Sequence, residues 1–495
     1  MILDCPRRDR LQSVTHRGQL RRANNGEGPT LLKSSSMVTA HEPEQMRAIL
    51  QRNLQPTESV SLRVQECRIT NTRRRDGSRG TIQYELRLED PGTGHVWNEV
   101  VTAITFGGNR TRRVWDSIHQ GATPDADQPT PSALQPFAYV PELDLLLQVF
   151  PHDHRLPGLA RLISGPTPEL VPALMEELGS GNGELTSWDA ETVQYRVDMR
   201  AILRLTVGTT DTSAGRTSER QFYAKIYRDA DQGRRAYRAQ YDLHERASAV
   251  GSHLVVAKPI IYAEDLRTLV TAAVPGTALS RIIGRGKGSV DAVKSAARAV
   301  AEFHQLDVNA PPRSLAEDMI RLREAHEYLA SARPDLADEV QSMIQAVALG
   351  LESAPSSLIH GDLKPDHILI DGDRVALLDF DLFGAADPVA DVAHLLAFLR
   401  KPQERSRSRR EETEDVGQIF VDEYFTHVPD SWRARLPLHH AMTSIHRAIG
   451  LCRRRGAEQQ HRVEDVLREG QAFLERGADG SVPSYKRRLT RHAAH

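Results

Sequence analysis

Hydrophobic and polar positions alternate along the first third of the chain. In Gly80–Glu89, Ile82, Tyr84, Leu86 and Leu88 fall on one face, with Val60–Thr70 before and Val96–Phe106 after. Asp76-Gly77-Ser78 and Asp90-Pro91-Gly92-Thr93-Gly94 separate the three runs, so the pattern predicts an antiparallel meander. Gly121–Pro136 reads as a Pro/Ala/Asp/Gln-rich linker, and Phe137–Pro151 returns to mostly apolar residues. A second meander is predicted over Thr192–Val197, Ala201–Val207 and Gln221–Tyr227, its last two strands joined by the Gly/Ser/Thr run Gly208–Ser218. Laid beside each other, the two meanders are either an internal duplication in which Ile104 stands where Lys225 stands in the second copy, or two unrelated sheets of similar composition.

Beyond about residue 288 the period changes to helical. Val290, Val293, Ala297, Val300 and Phe303 recur at helical spacing. Amphipathic stretches follow at 316–332, 336–351, 389–399, 416–427, 438–452 and 463–476. Three short β-rich runs interrupt them, Leu358-Ile359, Ile368–Ile370 and Val375–Leu378, the last two joined by Asp371-Gly372-Asp373. A sheet-rich half therefore precedes a helix-rich half, an α+β class.

Composition adds exclusions. With 64 Lys+Arg against 66 Asp+Glu the net charge is −2, which gives no global field for nucleic acid or an anionic membrane. No apolar run approaches the ~20 residues of a membrane helix. Three scattered cysteines, Cys5, Cys67 and Cys452, indicate neither a disulfide framework nor a cysteine zinc site, so a cytoplasmic location is expected. Residues 1–36, polar and arginine-rich, read as a disordered basic arm, with a start at Met37 as the alternative; 481–495 read as a basic tail.

The stretch that carries chemistry is Leu358-Ile359-His360-Gly361-Asp362-Leu363-Lys364-Pro365-Asp366-His367-Ile368-Leu369-Ile370, followed by Leu378-Asp379-Phe380-Asp381 and Asp387-Pro388-x-x-Asp391. An apolar strand ends in His-Gly-Asp, a loop intervenes, and a tight hairpin brings a second carboxylate. Phosphoryl transfer needs one aspartate to orient the attacking hydroxyl and another to hold the metal that bridges the phosphates.

At these residues the chain resembles the aminoglycoside phosphotransferase and choline kinase-like family, over roughly 190–455. The resemblance implies a two-lobed protein-kinase-like fold with ATP and Mg²⁺ or Mn²⁺, and a small-molecule hydroxyl acceptor. It further implies Asp362 as the catalytic aspartate and Asp379 as the principal metal ligand, with His360 and Asp391 supporting the catalytic loop. On the nucleotide side it implies Lys225 as the strand lysine, Glu245 as its helix partner, and a hinge through Thr271-Ala272-Ala273-Val274. The layout it suggests is an N-terminal β-region over 37–150, which is a degenerate N-lobe-like copy if the duplication holds. An N-lobe and hinge over 151–276 and a helical C-lobe over 277–480 follow.

Two positions depart from the family pattern. His367 stands five residues after Asp362, where the kinase signature has asparagine. Imidazole favours softer divalent ions than Mg²⁺, so His367 either re-tunes or weakens a metal position. Asp381 either binds a second metal or caps the next turn. The candidate nucleotide loop, Val197-Asp198-Met199-Arg200, has no glycine, which shifts phosphate contacts onto Lys225 and Arg200. The leading expectation is an ATP-dependent small-molecule kinase; its rival is a catalytically weak nucleotide-binding scaffold. His152-Asp153-His154 and His439-His440 lack the spacing of zinc ligands and read as solvated or helix-face histidines, and Arg405–Asp415 as an exposed charged loop.

Overall fold

The computed structural model describes residues 39–57, 61–74, 79–107, 110–121, 132–179, 183–211, 216–251, 253–283, 288–351, 356–399, 416–452 and 457–478. The expected arm at 1–36, the alternative start, the tail at 481–495 and the charged run at 405–415 lie outside them. The chain divides into two compact units, Met1–Gly233 with Ile261–Val270, and Arg234–Ile260 with Thr271–His495.

The first unit begins with α1 (Pro43–Asn53), whose Met46, Ile49 and Leu50 cover the first sheet. That sheet is a meander of β1 (Arg63–Arg74), β2 (Gly80–Asp90) and β3 (His95–Thr105), followed by α2 (Arg110–Gly121) and a hairpin of β4 (Phe137–Val140) and β5 (Leu145–Val149). Strict alternation in β2 buries Ile82, Tyr84, Leu86 and Leu88 against α1, which pins the register, because a one-residue slip would expose all four. The apolar return after the predicted linker is the β4–β5 hairpin, and β5 pairs with β3 to give the order β1-β2-β3-β5-β4. Two short helices follow, α3 (Gly158–Ser164) and α4 (Val171–Glu177).

The second sheet is built from β6 (Glu184–Arg196), β7 (Arg200–Asp211) and β8 (Arg216–Tyr227). These strands are longer than the alternation predicts. Thr209 pairs with Ser218 and Thr210 with Thr217, so the Gly/Ser/Thr run is mostly strand rather than connection. After α5 (Ala230–Val250), which opens with the Gln232 amide donating to Asp229 Oδ1 at 2.8 Å, and the short β9 (Leu254–Val256), come β10 (Pro259–Ala263) and β11 (Thr268–Ala272). The sheet order is β10-β11-β8-β7-β6.

In the second unit, β12 (Thr277–Ala278) leads to α6 (Gly288–His304), α7 (Leu315–Ala332) and α8 (Ala337–Gly350). Then come β13 (Ser357–Ile359), the hairpin β14 (Ile368–Asp371) and β15 (Arg374–Leu377), and β16 (Gly384–Ala386). Four helices complete it: α9 (Val389–Leu399), α10 (Val416–Tyr424), α11 (Leu436–Cys452) and α12 (Ala457–Ala478). Val293, Ala297 and Val300 of α6 share a core with Val392 and Leu396 of α9 and Phe420 of α10, and Leu358 and Leu363, which flank His360-Gly361-Asp362, belong to the same core. Antiparallel sheets in the first half and helices in the second bear out the α+β class. Among the described residues, no helix is long and apolar enough to cross a membrane.

Candidate active site

The His-Gly-Asp segment leaves β13, which is paired with β16, and the hairpin β14–β15 follows it. Asp391, in the first turn of α9, holds the segment's backbone. Its Oδ2 accepts the His360 amide at 2.5 Å and lies 3.2 Å from His304 Nε2, while its Oδ1 accepts the Gly361 amide at 2.9 Å. His304 Nδ1 in turn meets the Tyr424 hydroxyl at 2.8 Å. Burial alone would raise the Asp391 carboxyl. The His304 hydrogen bond, the nearby imidazoles and the His360 amide outweigh it, and the group lies below the ordinary carboxylate range.

Gly361 has φ +81, and a Cβ there would run into the Leu382 carbonyl and the Arg313 guanidinium, so this position requires glycine twice over. His360 is fully buried. Its Nε2 donates to the Leu378 carbonyl at 2.8 Å, which leaves Nδ1 to face the Asp362 amide at 3.4 Å. The next ring, His367, stacks on it at 5.8 Å with 20° between planes.

Asp362 is half-buried, with Lys364 Nζ at 2.6 Å and His394 Nε2 at 3.3 Å from its carboxylate. Burial pushes its pKa up, but His394 and Lys364 overcome this and hold it far below the usual carboxylate range. Lys364 Nζ and the His394 ring both also lie against Phe398, at 5.6 and 5.2 Å from its ring centroid.

His367 spans the two aspartates. Its Nδ1 donates to the Asp362 carbonyl at 2.9 Å, so in the neutral ring the lone pair is on Nε2, 3.7 Å from Asp379 Oδ2. Burial lowers its pKa, against the raising effect of Asp379. Asp379 itself takes a left-handed backbone, φ +68, at the end of the hairpin; left-handed non-glycine residues are uncommon and cluster at functional positions. The Leu378 amide donates to the His367 carbonyl at 2.9 Å and ties the two ligand-type residues together through the backbone. Asp381 lies in the single helical turn after Asp379, and Asp366 accepts the Ser280 hydroxyl. This donor set, one carboxylate and one imidazole lone pair, fits a divalent cation.

Downstream, Asp387 caps α9 through the Val389 amide at 3.2 Å and pairs with Arg435 Nε and His439 Nε2, both at 2.7 Å. Burial opposes these partners, yet His439 and Arg435 hold its pKa down to about 2. His440 Nε2 stands 3.2 Å from Glu469. Of the expected alternatives for His439 and His440, the solvated one is corrected: both lie on α11, as helix residues, and are buried with carboxylate partners.

The remaining expected site residues are on other elements. Lys225 is on β8, opposite Ile202 on β7, with Nζ 5.2 Å from the Tyr227 ring centroid. Glu245 is exposed on α5, whose buried positions include Leu243 and Ala247. Arg200 begins β7 opposite Tyr227, and Ala273 follows β11.

Sequence reasoning missed a second buried cluster. Among the described residues, one group of three ligand-type side chains converges with its ligand atoms within 4.8 Å: Asp153, His154 and Asp198. His154 is buried there, not solvated as its spacing suggested. The Arg79 guanidinium pairs with Asp198, so one carboxylate already has a counter-ion. Burial and the Asp198 charge raise Asp153 to about 6.

Lys225, Asp362, Asp379 and Asp391 all fall within one family match. Residues 202–435 match the phosphotransferase enzyme family. No curated protein matches the chain. Solved structures similar to this chain include a choline/ethanolamine kinase family protein from Mesorhizobium loti (15% identity, 55% of this chain and 85% of that one, TM-score 0.37). A thermostable mutant of an aminoglycoside phosphotransferase is another (14%, 62% and 98%, TM-score 0.40), as is an ethanolamine kinase from Plasmodium vivax (13%, 63% and 87%, TM-score 0.37).

Proposed function

We propose that the chain is an ATP-dependent phosphotransferase that moves the γ-phosphate to a hydroxyl group of a small molecule. The observation that carries this reading is His367, whose Nδ1 is bonded to the Asp362 carbonyl while its Nε2 lone pair and the Asp379 carboxylate face each other 3.7 Å apart as two donors for one cation. The acceptor oxygen forms a bond to the γ-phosphorus as the bond to the ADP oxygen breaks, and the hydroxyl proton passes by way of Asp362 to solvent. Asp362 orients that hydroxyl by accepting its hydrogen bond. Lys225 supplies a cation for the nucleotide phosphates. Asp379 and His367 would hold the divalent cation, which when bound offsets charge on the phosphate oxygens.

The test is ADP release from ATP in the presence of hydroxylated metabolites, including amino alcohols, sugars and aminoglycosides. At least one acceptor should raise the rate well above the ATPase background. No acceptor-dependent release with either Mg²⁺ or Mn²⁺ would count against the proposal.

His367 makes a specific cation expectation. An imidazole nitrogen disfavours hard Mg²⁺ relative to Mn²⁺, whereas an amide oxygen does not. Calorimetric titration with each metal should show His367→Asn narrowing the preference for Mn²⁺ over Mg²⁺ by about tenfold, roughly 1.4 kcal/mol. An unchanged ratio removes His367 from the metal site.

One observation favours the scaffold reading, in which ATP binds without turnover. The β6–β7 turn has no glycine, and its Asp198 amide is already donated to Asp153. ATP-induced thermal stabilisation with no acceptor-dependent turnover would select this reading.

A further inference from the structure

The two sheets of the first unit share more than a composition. A constant offset of 121 residues carries the first meander's register onto the second: Arg63↔Glu89 becomes Glu184↔Thr210, and Gly80↔Thr105 becomes Ala201↔Ile226. The outermost pair of the β2–β3 hairpin, Asp90↔His95, becomes Asp211↔Arg216. The β-bulge between Val64 and Glu66 maps onto that between Leu185 and Ser187; a second bulge, at Ile69/Asn71, is displaced to Thr192/Gln194. Each meander is followed by a helix and then a hairpin whose last strand returns beside the third, in orders β1-β2-β3-β5-β4 and β6-β7-β8-β11-β10. Even the hairpin turns agree. Asp144 and Arg267 both have left-handed backbones, at φ 47 and 48, and each donates its amide to the carbonyl three residues earlier, Pro141 and Glu264. Bulges and non-glycine left-handed residues are particular features, and their recurrence at matched positions is not explained by strand propensity.

In the matched register, Ile104 pairs with Thr81 where Lys225 pairs with Ile202, and Ile104 is fully buried. At the position matched to Lys225 the first sheet therefore offers no amine to a phosphate. What it offers instead is contact with the β6–β7 turn. Arg79, just before β2, pairs with Asp198, whose side chain is fully buried. Asp153, just after β5, accepts the Asp198 amide at 2.8 Å and the Tyr195 hydroxyl at 3.0 Å. Phe150 lies against the Tyr195 ring at 5.3 Å, and Arg79 against Phe106 at 5.1 Å.

We propose that residues 61–149 are a second copy of the nucleotide-lobe sheet, diverged from ligand binding into an intramolecular clamp that holds the glycine-free β6–β7 turn in place for the nucleotide. The nucleotide part rests on the kinase reading above; the clamp does not. Arg79, Asp153 and Tyr195 are then positioning residues that act through the turn.

The experiment uses the full chain with Arg79→Ala, Arg79→Lys and the milder Tyr195→Phe, read by hydrogen–deuterium exchange over residues 195–200 and by ATP titration. In Arg79→Ala and Tyr195→Phe, exchange in the turn should rise at least tenfold and ATP affinity should fall about tenfold. Arg79→Lys should recover a good part of both, since it restores the charge. Unchanged exchange in folded variants overturns the clamp. Faster exchange with unchanged ATP affinity overturns its positioning role. A wild-type chain that does not bind ATP defeats the kinase reading instead, and the clamp is then judged on exchange alone.

Discussion

Asp362→Asn should lower turnover by about 10²–10⁴ while leaving ATP-induced thermal stabilisation intact. Asparagine keeps the shape but presents an amide where the acceptor hydroxyl needs a charged hydrogen-bond acceptor, and it deprives Lys364 and His394 of their shared anion. The measurement is steady-state ADP release at saturating acceptor, set beside a thermal shift with ATP and metal. Full turnover in the variant removes Asp362 from the chemistry. The pH profile gives a second check. Because this carboxylate's pKa is held far below the ordinary range, it should contribute no acid limb to the rate between pH 5 and 8, and any limb found there belongs to another group.

Asp391→Ala is expected to destabilise the second unit by about 3–5 kcal/mol, read as the shift of that unit's unfolding midpoint in urea. The carboxylate is 2% exposed and serves two backbone amides and one imidazole; alanine leaves all three inside with nothing to accept them. The sign with pH follows from its depressed folded pKa. Its stabilisation is present above the ordinary carboxylate range and is lost as the pH falls through the folded value. The alanine variant should therefore lose part of the wild type's acid sensitivity. A midpoint shift equivalent to less than 1 kcal/mol would mean that the loop holds its conformation by other contacts.

The sequence made these two aspartates legible because their chemistry is local: His360 to Asp391 spans a short stretch in which apolar flanks, a glycine with an enforced backbone and a tight hairpin all carry their own signals. Alternation in β2 and the period of α6 were equally readable, since each has one wet face and one dry face. The full lengths of β6 to β8 were not. Glu184–Arg196 carries charge on both faces, and hydrophobic period has no purchase there. The Arg79–Asp153–Asp198 cluster was out of reach for another reason. Asp198 finds its partners 45 and 119 residues away, and no local spacing encodes that meeting. The burial of His439 was not legible because its partner Asp387 is likewise distant, 52 residues off.

The hairpin that carries Asp379 sits in the four-stranded order β12-β14-β15-β9, with β9 running parallel to β15 and β12 antiparallel to β14. β9 and β12 also bracket, along the chain, the excursion that leaves the second unit for the first at residue 261 and returns after 270. Both of those strands pair with the β14–β15 hairpin. Loss of either outer strand would leave the β14–β15 hairpin with an unpaired edge beside Asp379.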